Sequence, residues 1–196
     1  MKAMTVDPDT ILLQDRYEPE GLAEAIVDRH YASLHYLSYS ILGDADEADD
    51  AVQETIIRAL GRIEHYQPGS NMKAWLSSIV VNQSRDMIRR RKVRRRLSSG
   101  LERIFRAKGP GNNPEEQVVN QETKTELWSM VDHLGDKHRL PIILRYVHRF
   151  SVRDISEILS IREGTVSSRL YYGCRKLGQQ LVMNDIEELI AELLNE

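Results

Sequence analysis

Apolar residues recur at helical spacing along almost the whole chain, and no stretch shows the strict alternation of a half-buried strand. Across residues 22–42, Leu22, Ala25, Ile26, Tyr31, Leu34, Leu37 and Ile41 suit one face of one or two amphipathic helices, and Gly43 stops the run. Asp44 followed by Glu47 has the spacing of a capping box. The helix it opens carries a stripe of Ala48, Ala51, Val52, Thr55, Ile56 and Leu60. Residues 65–71, which include Pro68 and Gly69, read as a loop. A long helix follows from about Met72 into the low nineties, with Trp75, Leu76, Ile79, Val80 and Met87 facing inward.

The pattern then breaks. Residues 98–114 have linker composition, with room for a short helical piece around residues 101–106. Helical periodicity resumes over residues 114–134, 136–147, 151–159 and 163–181. A last segment, residues 185–194, places Ile186, Leu189, Ile190, Leu193 and Leu194 on one face. The fold class this predicts is all-α, two small helical domains joined by a flexible linker.

The most specific local pattern lies in residues 151–177. Ser151 with Asp154 marks a helix start, and Ile155, Ile158 and Leu159 supply its buried face. Ser160, Ile161 and Arg162 make a tight break, Ile161 being its apolar plug. A second helix opens at Glu163, with Val166, Leu170 and Leu177 inward. This is the spacing of a helix-turn-helix, whose second helix enters the major groove of DNA. Thr165, Ser168, Arg169, Tyr172, Arg175 and Lys176 form its outer face, with no carboxylate after Glu163. Arginine pairs bidentately with guanine, and hydroxyls serve base edges or phosphates. An ordinary helical hairpin would explain the spacing but not the missing carboxylates.

Charge changes the picture further. The chain nets −3, yet RRRKVRRR at residues 89–96 sets seven cations in eight positions. Residues 85–108 hold eleven Lys and Arg against Asp86 and Glu102, a net of +9 that leaves −12 elsewhere. A solvated basic helix end is the plain explanation of the run alone. Segregation on this scale fits a polyanion-facing segment beside an acidic surface open to a basic partner. A pI near 6.1 argues against indiscriminate coating of DNA. Asn82, Arg85, Asp86 and Arg89 share a polar face opposite Leu76, Ile79 and Val80, as expected where a helix meets a phosphate backbone and a few base edges. Just ahead of this helix, Tyr66, Gln67 and Asn71 carry groups that stack on or bond an unpaired base. Trp75 suits the core for most of its ring.

The lone Cys174 excludes an internal disulfide and a multi-cysteine zinc site. The N-terminus, with Asp7, Asp9, Asp15 and Arg16, lacks the pattern of a secretion signal, and no apolar run approaches the roughly 18 residues that span a bilayer. A cytoplasmic protein with no cofactor, no metal and no membrane insertion is expected. The six histidines are scattered, and nothing forms a catalytic constellation or a phosphate-cradling glycine loop.

Several patterns stand in one order. Asp49, Asp50, Ala51, Val52, Gln53 and Glu54 lie on the acidic helix. The Pro-Gly loop is followed by Ala74-Trp75-Leu76, Asn82, Asp86 and the arginine run. The linker, Leu140-Pro141 through Tyr146, and Gly164-Thr165-Val166-Ser167-Ser168-Arg169-Leu170 complete the set. Together they resemble the sigma-70 family, specifically the extracytoplasmic-function (ECF) group of bacterial RNA polymerase sigma factors, over residues 23–181.

The resemblance implies region 2 over residues 1–96, a linker over 97–113, region 4 over 114–182 and an acidic amphipathic helix over 183–196. It implies that Asp49, Asp50, Gln53 and Glu54 dock on the β′ clamp helices of core polymerase; Asp44 to Glu54 holds six carboxylates and no cation. Tyr66, Asn71, Lys73, Trp75, Asn82, Arg85, Asp86, Arg89 and Arg90 would capture the opened −10 strand, with a base flipped into the loop. The linker would lie in the active-centre and RNA-exit channels. Arg162, Thr165, Ser167, Ser168, Arg169, Tyr172, Arg175 and Lys176 would read the −35 element, with region 4 on the β flap. Promoter DNA and an anti-sigma factor are the other implied partners. The chain would confer promoter specificity and assist opening without being an enzyme. Asp154-Ile155-Ser156 departs mildly from the family's usual Glu-Ile-Ala, and neither Cys174 nor the acidic tail is required by it. A free-standing regulator is the alternative, but it leaves the Asp50 and Asn82 faces without a task.

Overall fold

A computed structural model describes the backbone of residues 19–67, 70–105 and 122–194, and the side chains of residues 21, 23–67, 70–94 and 128–182. Among these residues the secondary structure is entirely helical.

The N-terminal unit is built from three helices. Helix α1 (Pro19–Leu42) is one unbroken element, whose buried stripe of Ile26, Leu34, Leu37 and Ile41 also takes in His30 and Ser38. Gly43 ends it at a φ of 71°, the left-handed geometry glycine adopts without a Cβ penalty. Helix α2 (Ala45–Leu60) starts where Asp44 accepts the Glu47 N–H at 2.9 Å. The Glu47 carboxylate, expected to reach back and complete the box, instead meets Arg91 at 3.3 Å and ties α2 to the next helix. Ala48, Ala51, Val52, Thr55 and Ala59 are buried, small side chains that let neighbouring helices approach closely.

Helix α3 (Met72–Phe105) is 34 residues long, roughly 50 Å at the usual rise. Leu76, Val80 and Val81 are fully buried, and Ser84 meets Ser38 of α1 at 3.1 Å in the interior. The helix continues past the low nineties, where its end was expected. Arginine, lysine and leucine are strong helix formers, and a single glycine such as Gly100 costs only about 1 kcal/mol against alanine.

The C-terminal unit comprises α4 (Glu122–His133), α5 (Asp136–Ile142), α6 (Val152–Leu159) and α7 (Glu163–Leu194). The single helix expected over residues 136–147 is interrupted. After Pro141 the chain widens into a π-type turn, Ile143–Val147, and the His148 N–H reaches the Ile143 carbonyl at 3.2 Å. Proline removes one helical N–H and crowds the carbonyl four residues earlier, so such departures gather around it. The Ser151–Asp154 box forms in both directions, at 3.0 Å each way. Ser160 turns at φ 51°, and Ile161 packs on the core as the expected plug.

Ile155, Ile158 and Val166 are essentially inaccessible, and Leu170 and Leu177 extend the seam. Gly173 sits where α7 crosses α5: a Cβ there would lie 2.6 Å from Ile142 Cδ1 and 3.3 Å from His138 Cβ. Glycine inside this helix is explained by that close approach. Helix α7 runs on to Leu194, across the segment expected to stand apart. The side chains of Arg95, Arg96 and the apolar face of residues 185–194, and residues 106–121 of the linker and early region 4, lie outside the described residues. Buried residues of both units form one contiguous core, with α3 against α6 and α1 against the π-type turn.

Candidate functional site

Three faces are built on this frame. The first is the outer side of α2, where a run of carboxylates at the positive end of a helix is electrostatically favoured. Asp50 and Gln53 are exposed, and Glu54 is half-buried in a 2.6 Å pair with Arg58. Asp49 is placed differently. It accepts a hydrogen bond from the Tyr31 hydroxyl and lies 3.1 Å from His35 Nε2, so α1 holds it at the margin of the face. The bond to Asp49, then desolvation and the carboxylate charge, raise the Tyr31 phenol above its ordinary value. Ile57, 65% exposed, falls three and four residues beyond Glu54 and Gln53 on the same side. Helical period assigns Ile56 to the buried stripe and does not by itself single out Ile57 beside it. An exposed apolar side chain beside Gln53 and Glu54 suits a contact patch better than plain solvated surface.

The second face runs along α3. Asn71 caps the helix, its Oδ1 accepting the Ala74 N–H at 3.1 Å. Lys73 is exposed at the backbone level of the first turn, with its ammonium 5.2 Å above the Phe150 ring. Asn82, Arg85, Arg89 and Arg90 are exposed in sequence along the helix, and Asp86 pairs with Arg89 at 3.1 Å. That pair is open to water and contributes little to stability. Tyr66, expected to offer its ring to an unpaired base, is only 5% exposed. It packs on Trp75 with ring centroids 5.2 Å apart and donates to the Ser70 carbonyl, so it holds the loop from inside. Trp75 is half-buried, as its place in the core pattern suggested. Gln67 remains exposed at the loop.

The third face is the outer side of α7. Arg162, Ser167, Ser168, Tyr172, Arg175 and Lys176 are exposed, with Thr165 and Arg169 half-buried at its edge. Ser167 Oγ donates to the Glu163 carbonyl at 3.1 Å and Ser168 Oγ to that of Thr165 at 3.0 Å. Both hydroxyls are therefore satisfied locally and need only rotate to meet a ligand. Tyr171 was not singled out in the sequence; it is 64% exposed and meets Tyr172 edge-on at 5.3 Å. Cys174 lies exposed on this helix, its Sγ 3.5 Å from the Tyr146 hydroxyl.

Residues from the C-terminal unit also approach the α3 face, and sequence reading did not foresee them. Asp154, besides capping α6, accepts from Asn71 Nδ2 at 3.1 Å. Burial raises its carboxyl, but bonds from the Ser151 side chain and backbone and from Asn71, with the Arg153 charge, leave it below the ordinary value. Asp136, in the first turn of α5, helps line a cleft of about 490 Å³ with Asn82, Arg85, Asp86 and Arg89.

A helical chain with a helix-turn-helix, a cationic long helix and a separate acidic face defines a class: a two-domain DNA-binding subunit of a larger assembly. Comparison with known proteins makes the class specific. The Sigma-70 region 2 family matches residues 26–94 and Sigma-70 region 4 matches residues 124–177. The chain is 33% identical over 162 residues to the ECF RNA polymerase sigma factor SigW of Bacillus subtilis (strain 168), covering 80% of this chain and 87% of that one. It is 34% identical to the ECF RNA polymerase sigma factor EcfG of Rhodopseudomonas palustris (strain TIE-1), over 80% of this chain and 83% of the relative. Two solved structures share the fold: sigma factor RpoE in complex with the anti-sigma factor NepR from Bartonella quintana (TM-score 0.62, 24% identity, 81% of this chain and 95% of that one), and CnrH in complex with the cytosolic domain of CnrY (TM-score 0.67, 22% identity, 90% and 99%). The chain belongs to the ECF group of the sigma-70 family, whose members direct RNA polymerase to promoters. No helix among the described residues is long and apolar enough to cross a membrane.

Proposed function

We propose that this chain seats on core RNA polymerase through the outer face of α2, captures the opened −10 strand with α3 and reads the −35 duplex with α7. The observation that carries this reading is the separation of charge. Asp50, Gln53, Glu54 and Ile57 share one side of α2, while the exposed cations lie on α3 and α7. One surface is thus suited to a basic protein partner and two others to polyanion. Residues 1–96 act as region 2, residues 97–113 as the linker and residues 114–182 as region 4.

Melting on this account needs no hydrolysis. Binding energy for the unpaired strand offsets the few kcal/mol of flipping a base. The subunit works in the cytoplasm without its own catalytic site, cofactor or metal. The resemblance to the sigma factor RpoE, solved with the anti-sigma factor NepR, supports an anti-sigma partner for this chain too.

Reconstitution tests the reading. Added to core polymerase, the purified chain should direct run-off transcripts from discrete promoters. Asp50→Lys with Glu54→Lys should lower affinity for core by ten- to hundredfold, roughly what opposed interfacial charges cost. Ile57→Asp should weaken it several-fold. Unchanged core affinity in both variants would remove α2 as the docking face. Tight stand-alone operator binding without polymerase association would favour a free-standing regulator.

A further inference from the structure

Helix α7 outruns the unit it belongs to. It spans Glu163–Leu194, 32 residues and roughly 48 Å of rise. Val166 and Leu170 are buried and Leu177 packs on the core, whereas Leu181 and Val182 are 44% and 58% exposed. At Gly178, one turn before Val182, an added Cβ would meet nothing within 4 Å, so this side of the helix is open at both positions. The backbone then stays helical for about three more turns, beyond the residues 124–177 that Sigma-70 region 4 matches.

Over that extension the sequence keeps a heptad register. Val182, Ile186, Leu189 and Leu193 follow one another at intervals of four, three and four residues. This is the a/d spacing of a helix that pairs with another helix, with Ile186 and Leu193 at a and Val182 and Leu189 at d. Met183 and Ile190 take the e positions, and Asp185 and Glu192 the g positions. Residues 183–196 hold five carboxylates and no cation.

We propose that residues 182–194 of α7 are a docking helix for another protein, whose matching segment is an amphipathic helix with an apolar stripe edged by Lys or Arg. Charge selects this occupant over a second copy of the chain. Two antiparallel copies would set g carboxylates against each other, and two parallel copies would set Asp185 against Ile190; neither arrangement supplies a cation. A basic helix meets Asp185 and Glu192 with opposite charge, and the same two residues reject an acidic helix. The extension continues a helix already anchored in the C-terminal unit, so the cost of helix nucleation is met before any partner arrives. Two heptads offer few anchors, which suits a reversible association.

The full chain and two synthetic peptides of about 21 residues test this, both with Ile at a and Leu at d, one with Lys and the other with Glu at e and g. Fluorescence anisotropy of the fluorescein-labelled peptides reads binding. The lysine peptide should bind with a Kd of about 10 μM, and the glutamate peptide at least about 50-fold more weakly. Asp185→Lys with Glu192→Lys should reverse that order while leaving the apolar stripe intact. Leu189→Asp should weaken the lysine peptide at least about 20-fold. Circular dichroism checks that this variant is folded, and should it not be, the charge reversal decides. Lysine-peptide binding that survives in folded Leu189→Asp would place the peptide on other carboxylates and overturn the proposal. No binding to the wild type, or no reversal in the double variant, would overturn it equally. Sedimentation equilibrium should find the chain monomeric up to about 50 μM. A dimer that Leu189→Asp abolishes would make a second copy the occupant and contradict the assignment to a basic partner.

Discussion

The two helices proposed to meet DNA differ less in composition than in availability. On α7, Ser167, Ser168, Tyr172, Arg175 and Lys176 are exposed, as is Arg162 just before the helix, on a face that the N-terminal unit leaves uncovered. On α3, Asn71 and Lys73 at the N-terminal end are engaged by Asp154 and Phe150, and the middle of the helix looks across a cleft at Asp136. Both patterns read as polar and cationic from sequence, yet one is open and the other part-covered. A charged face is thus a capacity, and packing between domains decides when it is usable.

The sharpest way to break the comparison is to disable α7 alone. Arg175→Glu with Lys176→Glu should reduce affinity for upstream-element duplex about 100-fold and lower the salt slope by about 2, consistent with losing two phosphate or base contacts. Single-strand binding by the free chain should not change. Equal losses on both DNA forms, measured by anisotropy, would show that the two helices are not separate readers.

Acid should act on α3 and not on α7. Burial first, and then the Lys73 charge, lower the His148 imidazole from 6.5 to about 4. Facing it are Tyr36 and Ser40 from α1 and Lys73 from α3, while Arg145 and Arg149 flank it on its own segment. Because the value is depressed where the two units pack together, that packed state binds fewer protons than one with the units apart. Its advantage is complete above pH 6.5 and is lost as pH falls from there toward 4. Between pH 7.5 and 5.5 the packing equilibrium should weaken by at most about tenfold, since the ring is partly exposed. Single-strand affinity of the wild type should rise accordingly. That of an Arg139→Glu variant, which loses the guanidinium bonds to the Ser40 and Ile41 carbonyls of α1, should rise less. A parallel rise in both would assign the effect to other histidines.

The smallest effect separates a cap from a contact between the units. Asp44→Ala and Asp154→Ala each remove a helix-capping carboxylate and should each cost about 1 kcal/mol in denaturant unfolding. Only Asp154→Ala also frees Asn71, so it alone should improve single-strand binding, about twofold. The same gain in both would point to general loosening.

Much of this molecule was legible in its sequence because helices advertise themselves by period. The stripe of α1, the Ser151–Asp154 box, the Ile161 plug and the exposed arginines of α3 all follow from local chemistry. What period does not report is contact between distant segments. Nothing near Asp154 in sequence marks it as a partner of Asn71, and Arg139 and His148 look ordinary until α1 is placed beside them. Tyr66 departs from expectation for the same reason: a loop tyrosine reads as exposed by composition, and its packing on Trp75 buries it. The overlong α3 and the π-type turn after Pro141 show propensity and proline acting against simple boundary rules.

The separation of the units on assembly is measured most directly by a distance across them. Dyes on the exposed native Cys174 of α7 and on an introduced Arg62→Cys in the exposed turn after α2 report it by energy transfer. In the free chain the value should be that of packed units. With core polymerase and promoter DNA it should lengthen by several tens of ångströms, because elements about 25 base pairs apart lie roughly 85 Å apart along the helix axis. An unchanged distance in a complex that initiates transcription would contradict the account.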